Sequence, residues 1–140
     1  MGKLVRFSIL FSIVFSILFI FSALSFANGV YVQTNNGKVW DAYPEQNQVP
    51  VWTGGIDSNG YASGQGVMIW YQDGQPGDKY EGTMVEGKMS GKGTYTWFEG
   101  TKYVGDFVDF YRDGYGTYYD KNGNVVYQGK WSKDQFMGNK

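Results

Sequence analysis

The stretch Tyr80-Glu81-Gly82-Thr83-Met84-Val85-Glu86-Gly87-Lys88-Met89-Ser90-Gly91-Lys92-Gly93-Thr94-Tyr95-Thr96-Trp97 decides the fold of this chain. Tyr80, Gly82 and Met84 alternate with Glu81 and Thr83, the two-residue period of a β-strand with one side turned inward. Glu86-Gly87-Lys88 reads as a turn, glycine supplying the positive φ. The returning strand sets Gly91, Gly93, Tyr95 and Trp97 on one face and Lys92, Thr94 and Thr96 on the other. The phrase is therefore a β-hairpin. Glycines normally weaken strands, but here they alternate with rings. A bare backbone leaves a trough in which a neighbouring Tyr or Trp lies flat, as in aromatic rescue. The Thr, Lys and Glu face is expected to be solvated.

The phrase recurs on both sides of that stretch. After a turn at Glu99-Gly100-Thr101, Tyr103-Val104-Gly105 restarts it and Gly114-Tyr115-Gly116-Thr117-Tyr118 completes it before Gly123. In this copy Phe110 replaces the turn glycine and Asp120 stands at the Trp97 position. Tyr127-Gln128-Gly129 opens an incomplete copy that reaches Gly138. Upstream, Trp52-Thr53-Gly54, Gly60 and Gly64-Gln65-Gly66-Val67-Met68-Ile69-Trp70 form a looser copy, its connection to Tyr80 lengthened through Gly74, Pro76 and Gly77. Gly82, Gly105 and Gly129 lie 23 and 24 residues apart. A fixed period of that length means a repeat architecture in which each unit buries its apolar side only against its neighbours.

Before the array, Val30 to Thr34 and Lys38 to Asp41 flank Asn35-Asn36-Gly37, a hairpin signal. Pro44 and Pro50 mark a loop after it. The first 27 residues are different: Lys3 and Arg6, an apolar run from Phe7 to Phe21, then Ser25-Phe26-Ala27. They read as an export signal cut after Ala27, with an uncleaved membrane anchor as the alternative, since Phe7 to Ala27 is long enough to cross a bilayer. The expected organisation is a signal or anchor helix over 1–27, a capping hairpin and loop over 28–51, and a repeat array over 52–140. The fold class is all-β, an elongated antiparallel meander of hairpins.

Composition narrows the function. Residues 28–140 hold 20 of the 21 glycines and all 12 Tyr and 5 Trp, the makeup of tight β-structure and not of a linker. Removing Lys3 and Arg6 leaves ten basic against 13 acidic residues, a net charge of −3. That balance disfavours nucleic acid and anionic lipid surfaces. There is no Cys to form a disulfide or carry a lipid, and no His. Nucleophilic triads and the usual zinc sites are thereby excluded. Gly91-Lys92-Gly93 lacks the rest of a phosphate-loop phrase and no helix follows it. Asp120-Lys121-Asn122-Gly123-Asn124 is a hairpin turn and not a calcium loop, because Trp131 stands where the bidentate Glu belongs. A glycosidase pair such as Glu81 with Glu99 is the one catalytic pairing the sequence leaves open. No catalytic residue, cofactor or metal is expected.

At this point the pattern has a name. Tyr-x-Gly, a glycine four or five residues on, then Gly-x-Gly-x-Tyr-x-Trp resembles the MORN repeat, the membrane occupation and recognition nexus. Tyr80 to Trp97 matches closely, Tyr103 to Tyr118 with one lost glycine, Trp52 to Trp70 loosely, and Tyr127 to Gly138 in part. Lys38-Val39-Trp40 and the loop to Trp52 also look like the lead-in of small exported bacterial members, many of which have cysteines there. The resemblance implies a stand-alone, non-enzymatic scaffold for protein interaction or assembly at the periplasm, envelope or cell exterior. Tyr80, Tyr95, Trp97, Tyr103, Tyr118, Tyr127 and Trp131 are expected to form an aromatic ladder at the core. The alternative use of the ladder is as an exposed stacking platform for glycans, for which several rings must be coplanar and open; peripheral phospholipid binding is the third reading. The incomplete last copy is expected to leave an open sheet edge beside Trp131 and Phe136, where the chain self-associates or takes a protein partner.

Overall fold

Alternation of small residues with rings produces eleven strands and, among the described residues, no helix. The computed structural model describes residues 29–139, so the leader reading of residues 1–27 lies outside it. β1 (Val30–Thr34) and β2 (Gly37–Asp41) form a hairpin of their own. Then come β3 (Gln48–Trp52), the short β4 (Gly55–Ile56), β5 (Ala62–Gln72), β6 (Gln75–Val85), β7 (Lys88–Thr96), β8 (Lys102–Val108), β9 (Tyr111–Tyr119), β10 (Val125–Ser132) and β11 (Gln135–Gly138). From β5 to β11 each strand pairs antiparallel with the next; β3 flanks β5 on the far side and β4 pairs only with β5. The expected all-β antiparallel meander is what the chain forms.

Two kinds of turn make the meander regular. Within units, Asp73-Gly74, Glu86-Gly87, Asp109-Phe110 and Lys133-Asp134 are two-residue turns with both residues at positive φ. That backbone matches the right-handed twist of the strands it joins. Phe110 occupies the glycine position at φ 83°, a conformation that costs a side-chain-bearing residue about 1–2 kcal/mol. Its N–H bonds Met89 O at 3.0 Å and its ring packs against the core, which holds it there. Between units, the N–H groups of Asp57, Trp97 and Asp120 bond the carbonyls of Tyr61, Thr101 and Asn124, four residues on, at 2.9, 3.0 and 2.9 Å.

Two expectations about prolines are corrected. The link through Gly74, Pro76 and Gly77 is no loop: the turn closes at Asp73-Gly74 and both Pro76 and Gly77 belong to β6. Pro76 lies beyond Lys79↔Thr96, the last β6–β7 pair, so its missing N–H removes no bond to β7. Pro50 also sits in a strand, opposite Trp70. It is tolerated because β3 is an edge strand, where the absent donor falls on the open side.

The register explains the glycines. Gly66, Gly82, Gly93, Gly105, Gly116 and Gly129 stand opposite one another in an unbroken row across β5 to β10. On one face rings cover the row. Tyr80 is 0% exposed and lies against Gly82 and Gly93, where a Cβ on Gly93 would stand 2.5 Å from the ring. Tyr103, also 0% exposed, covers Gly105 and Gly116, and Trp52 covers Gly54 and Gly66. Each of these rings donates to the carbonyl three residues on: Tyr80 Oη to Thr83 O at 2.9 Å, Tyr103 Oη to Asp106 O at 3.1 Å, Trp52 Nε1 to Gly55 O at 3.0 Å. Burial pushes both tyrosine hydroxyls up to about 12, so they stay protonated donors.

The β1–β2 hairpin docks where these units begin. Asn35 accepts from Trp52 N–H at 2.8 Å and donates to Trp52 O at 3.0 Å, fixing the end of β3. Trp40 N–H bonds Gly87 O at 2.8 Å, and Val39 is fully buried in the core.

Candidate functional site

The ladder exists, but one of its expected members leaves the core. Tyr127, expected at the core, is 46% exposed, while Trp131 is 4% exposed and donates Nε1–H to Gly116 O at 3.1 Å. The reason is local. β11 pairs with only the last three residues of β10 and Gly138 stands opposite Lys130 and not Gly129, so Tyr127 has no following glycine pair to cover. Trp131 fills the hollow beside Tyr103 instead, at 5.3 Å between ring centroids. Tyr95, Trp97 and Tyr118 are half-buried and run on from Trp70 at centroid spacings of 5.8, 4.8 and 5.5 Å. Arg112, which the sequence reading passed over, seals the row: its guanidinium lies 4.6 Å from the Trp131 ring and its Nε bonds Asp134 at 2.9 Å.

This geometry bears on the alternatives. The ladder rings meet at interplanar angles between 40° and 84°, so they tilt or stand edge-on and make no coplanar platform. Glu81 is held by Lys79 at 2.7 Å and Glu99 accepts from Thr101 at 2.7 Å, so each carboxylate serves a local contact. Asp120 accepts from the backbone of Asn122 and Asn124 and from the Asn124 side chain, which makes it the organiser of a turn. Among the described residues no group of three acidic, His or Cys side chains is placed to hold a metal.

Three surfaces remain. Opposite the rings, the glycine row floors a groove of about 780 Å³ with Glu81, Thr94, Val104 and Thr117 along its side. Lys92 and Asp106 pair across its rim at 2.7 Å. Partial burial of Asp106 is outweighed by Lys92 and the Tyr115 N–H, which together hold its carboxyl below the usual range.

The second surface is the C-terminal edge. Trp131, expected beside that edge and in the ladder, is buried. Phe136 is half-buried against Tyr127 at 5.0 Å and Trp131 at 5.3 Å. What lies open is β10 itself: Val125, Tyr127 and Gln128 pair with β9 on one side, with a bulge at Val126, and none of the four pairs with a described strand on the other. Val125, Val126 and Tyr127 are exposed there, beside a hollow of about 630 Å³ that Phe136 also lines.

The third surface is a cavity under residues 42–47, formed by side chains far apart in sequence.

The MORN repeat family model matches residues 58–75, 80–102, 103–125 and 127–139. No curated protein matches the chain.

Proposed function

The chain belongs to the MORN repeat family, whose repeats are commonly modules for protein or membrane interaction and typically carry no catalysis; from that premise we propose that it is an exported, non-enzymatic scaffold at the cell envelope that binds an extended strand of a protein partner along β10. The observation that carries this reading is the unpaired outer side of Val125 to Gln128. Free N–H and C=O groups on either side of the Val126 bulge, with exposed Val and Tyr side chains, are a template for strand addition. The opposite edge is different, because Pro50 removes a donor from β3. A head-to-tail chain of copies through β3 is thereby disfavoured, and the occupant is another polypeptide. Lys130 and Lys133 give this end of an otherwise acidic chain a basic border, which suits a partner strand mixing apolar and acidic residues.

The test is amide hydrogen exchange on the complex captured from envelope extract, comparing the wild type with a Val125→Lys, Val126→Lys double variant. Both valines are exposed, so the variant folds. Slowed exchange at residues 125–128 in the complex, lost together with the partner in the variant, is the expected result. Unchanged exchange there, or the same partner held by the variant, removes the edge from consideration, and light scattering identifies a second copy as the occupant. Export is tested separately: the native protein is expected to begin at Asn28 by intact mass, and a full-length mass in the membrane fraction identifies an anchor.

A further inference from the structure

A cavity of about 370 Å³ lies where the loop after β2 closes over β5, β6 and the end of β7. Asp41, Glu45 and Asp78 line it together with Tyr43, Trp70 and Tyr95, and no Lys or Arg does. The carboxylates are not equivalent. Asp78 is engaged, accepting from Tyr95 Oη at 2.7 Å and from Phe98 N–H at 2.9 Å. Asp41 is only 7% exposed, yet just one of its oxygens is bonded, to Tyr43 N–H at 2.9 Å. No described cation pairs with Asp41, Glu45 or Asp78.

A largely buried carboxylate with one N–H donor and no cation beside it is costly. Burial first, and the neighbouring Glu45 charge with it, raises the Asp41 carboxyl above its ordinary value, against the pull of the Tyr43 N–H. The cavity walls add a second preference. Trp70 and Tyr95 stand 5.8 Å apart between ring centroids, Tyr43 projects at the mouth, and ring faces attract cations while their bodies accept alkyl groups. Negative charge, an unfilled acceptor and aromatic walls all select one chemistry.

We propose that this cavity binds an alkylammonium group on an apolar stem, its N–H donors meeting Asp41 and its methylenes lying against Trp70 and Tyr95. Such a group comes from a lysine side chain of a peptide or from a free amine. The inference is independent of the β10 edge, which lies at the other end of the sheet.

The experiment is an NMR titration of the whole exported chain, following the Trp70 indole and the Tyr95 ring. The probes are n-pentylammonium, Nα-acetyl-lysine methylamide and, as the neutral control, n-pentanol. Saturable shifts with either ammonium probe and none with pentanol are expected; which of the two binds more tightly identifies the source. Asp41→Asn is nearly isosteric, and its fold is checked in the same spectra. It is expected to weaken the ammonium probes by at least about tenfold, the scale of a hydrogen bond to a charged group. Tyr43→Ala, at the exposed mouth, keeps the test open if the Asp41 variant rearranges, and is expected to weaken binding several-fold. Absence of saturable shifts, equal binding of pentanol, or unchanged affinity in both variants overturns the proposal.

Discussion

Replacing Gly93 by Ala tests the reason for the glycine row. Gly93 is not at positive φ, so alanine is acceptable to the backbone and the cost must come from packing. The added Cβ would meet Tyr80 at 2.5 Å from Cε2, 2.8 Å from Oη and 2.9 Å from Cζ. Carbon pairs rest near 3.5–4.0 Å, so the ring has to retreat by roughly 1 Å. It has little room, being fully buried, held by its own bond to Thr83 O and met edge-on by Phe107 at 5.3 Å. Overpacking of this kind costs about 1–3 kcal/mol, and a strained hydroxyl bond adds about 1. Alanine's advantage over glycine in a strand returns about 0.5–1 kcal/mol. The expected net loss is about 2 kcal/mol, read from urea melts at constant m. In a Tyr80→Val background the ring is gone, and Gly93→Ala is expected to be neutral or stabilising by about 0.5 kcal/mol. The two sites are therefore coupled by about 2 kcal/mol. Equal costs in both backgrounds would show that the glycine is not there to admit the ring.

Trp97→Ala is expected to cost about 3 kcal/mol and Thr94→Ala, on the groove face, about 0.5 or less; equal losses in denaturant melts would mean that the ring face carries no special burial. At the strained turn, Phe110→Gly is expected to be more stable than Phe110→Ala by about 1 kcal/mol, since both lose the ring but only alanine retains the positive-φ penalty; calorimetry that ranks them the other way refutes the strain. Asp41 gives a pH signature. Its carboxyl titrates higher in the folded than in the unfolded chain, so between those two values the folded state holds more protons and stability falls as pH rises. Asp106 has the opposite shift and contributes stability that is lost as pH falls through its lowered value. Asp41→Asn is expected to flatten the first slope and leave the second, as measured by melts across the acidic range.

The strands of the array were legible because a two-residue alternation is a local signal, and Tyr80 to Trp97 contains both strands and the turn of one unit. The face assignments followed from the same alternation. What the sequence could not place was decided by neighbours. Pro50 and Pro76 look like loop markers, and become strand residues only because one side of each carries no bond to lose. Tyr127 occupies the position of Tyr80 and Tyr103, yet lacks a crossing glycine pair, so Trp131 takes the buried place. An open edge lies at the last copy, but the residues exposed along it are Val125 to Tyr127 and not Trp131. The acidic cavity draws Asp41, Trp70, Asp78 and Tyr95 from four strands, and Glu45 from a loop, that only the folded sheet brings together, so no spacing announced it.

The order of strands also decides how the molecule yields to a pull. From β6 onward every strand is paired only with those before and after it in the chain, so tension applied at the ends does not load all the ladders at once. It opens the outermost hairpin first, and each opening transfers the load to the next. Stability in such an array is held in nearest-neighbour contacts, and the resistance is therefore a series of modest, similar steps in place of one large one. A protein built this way lengthens under load a unit at a time, and the units still closed keep their glycines covered.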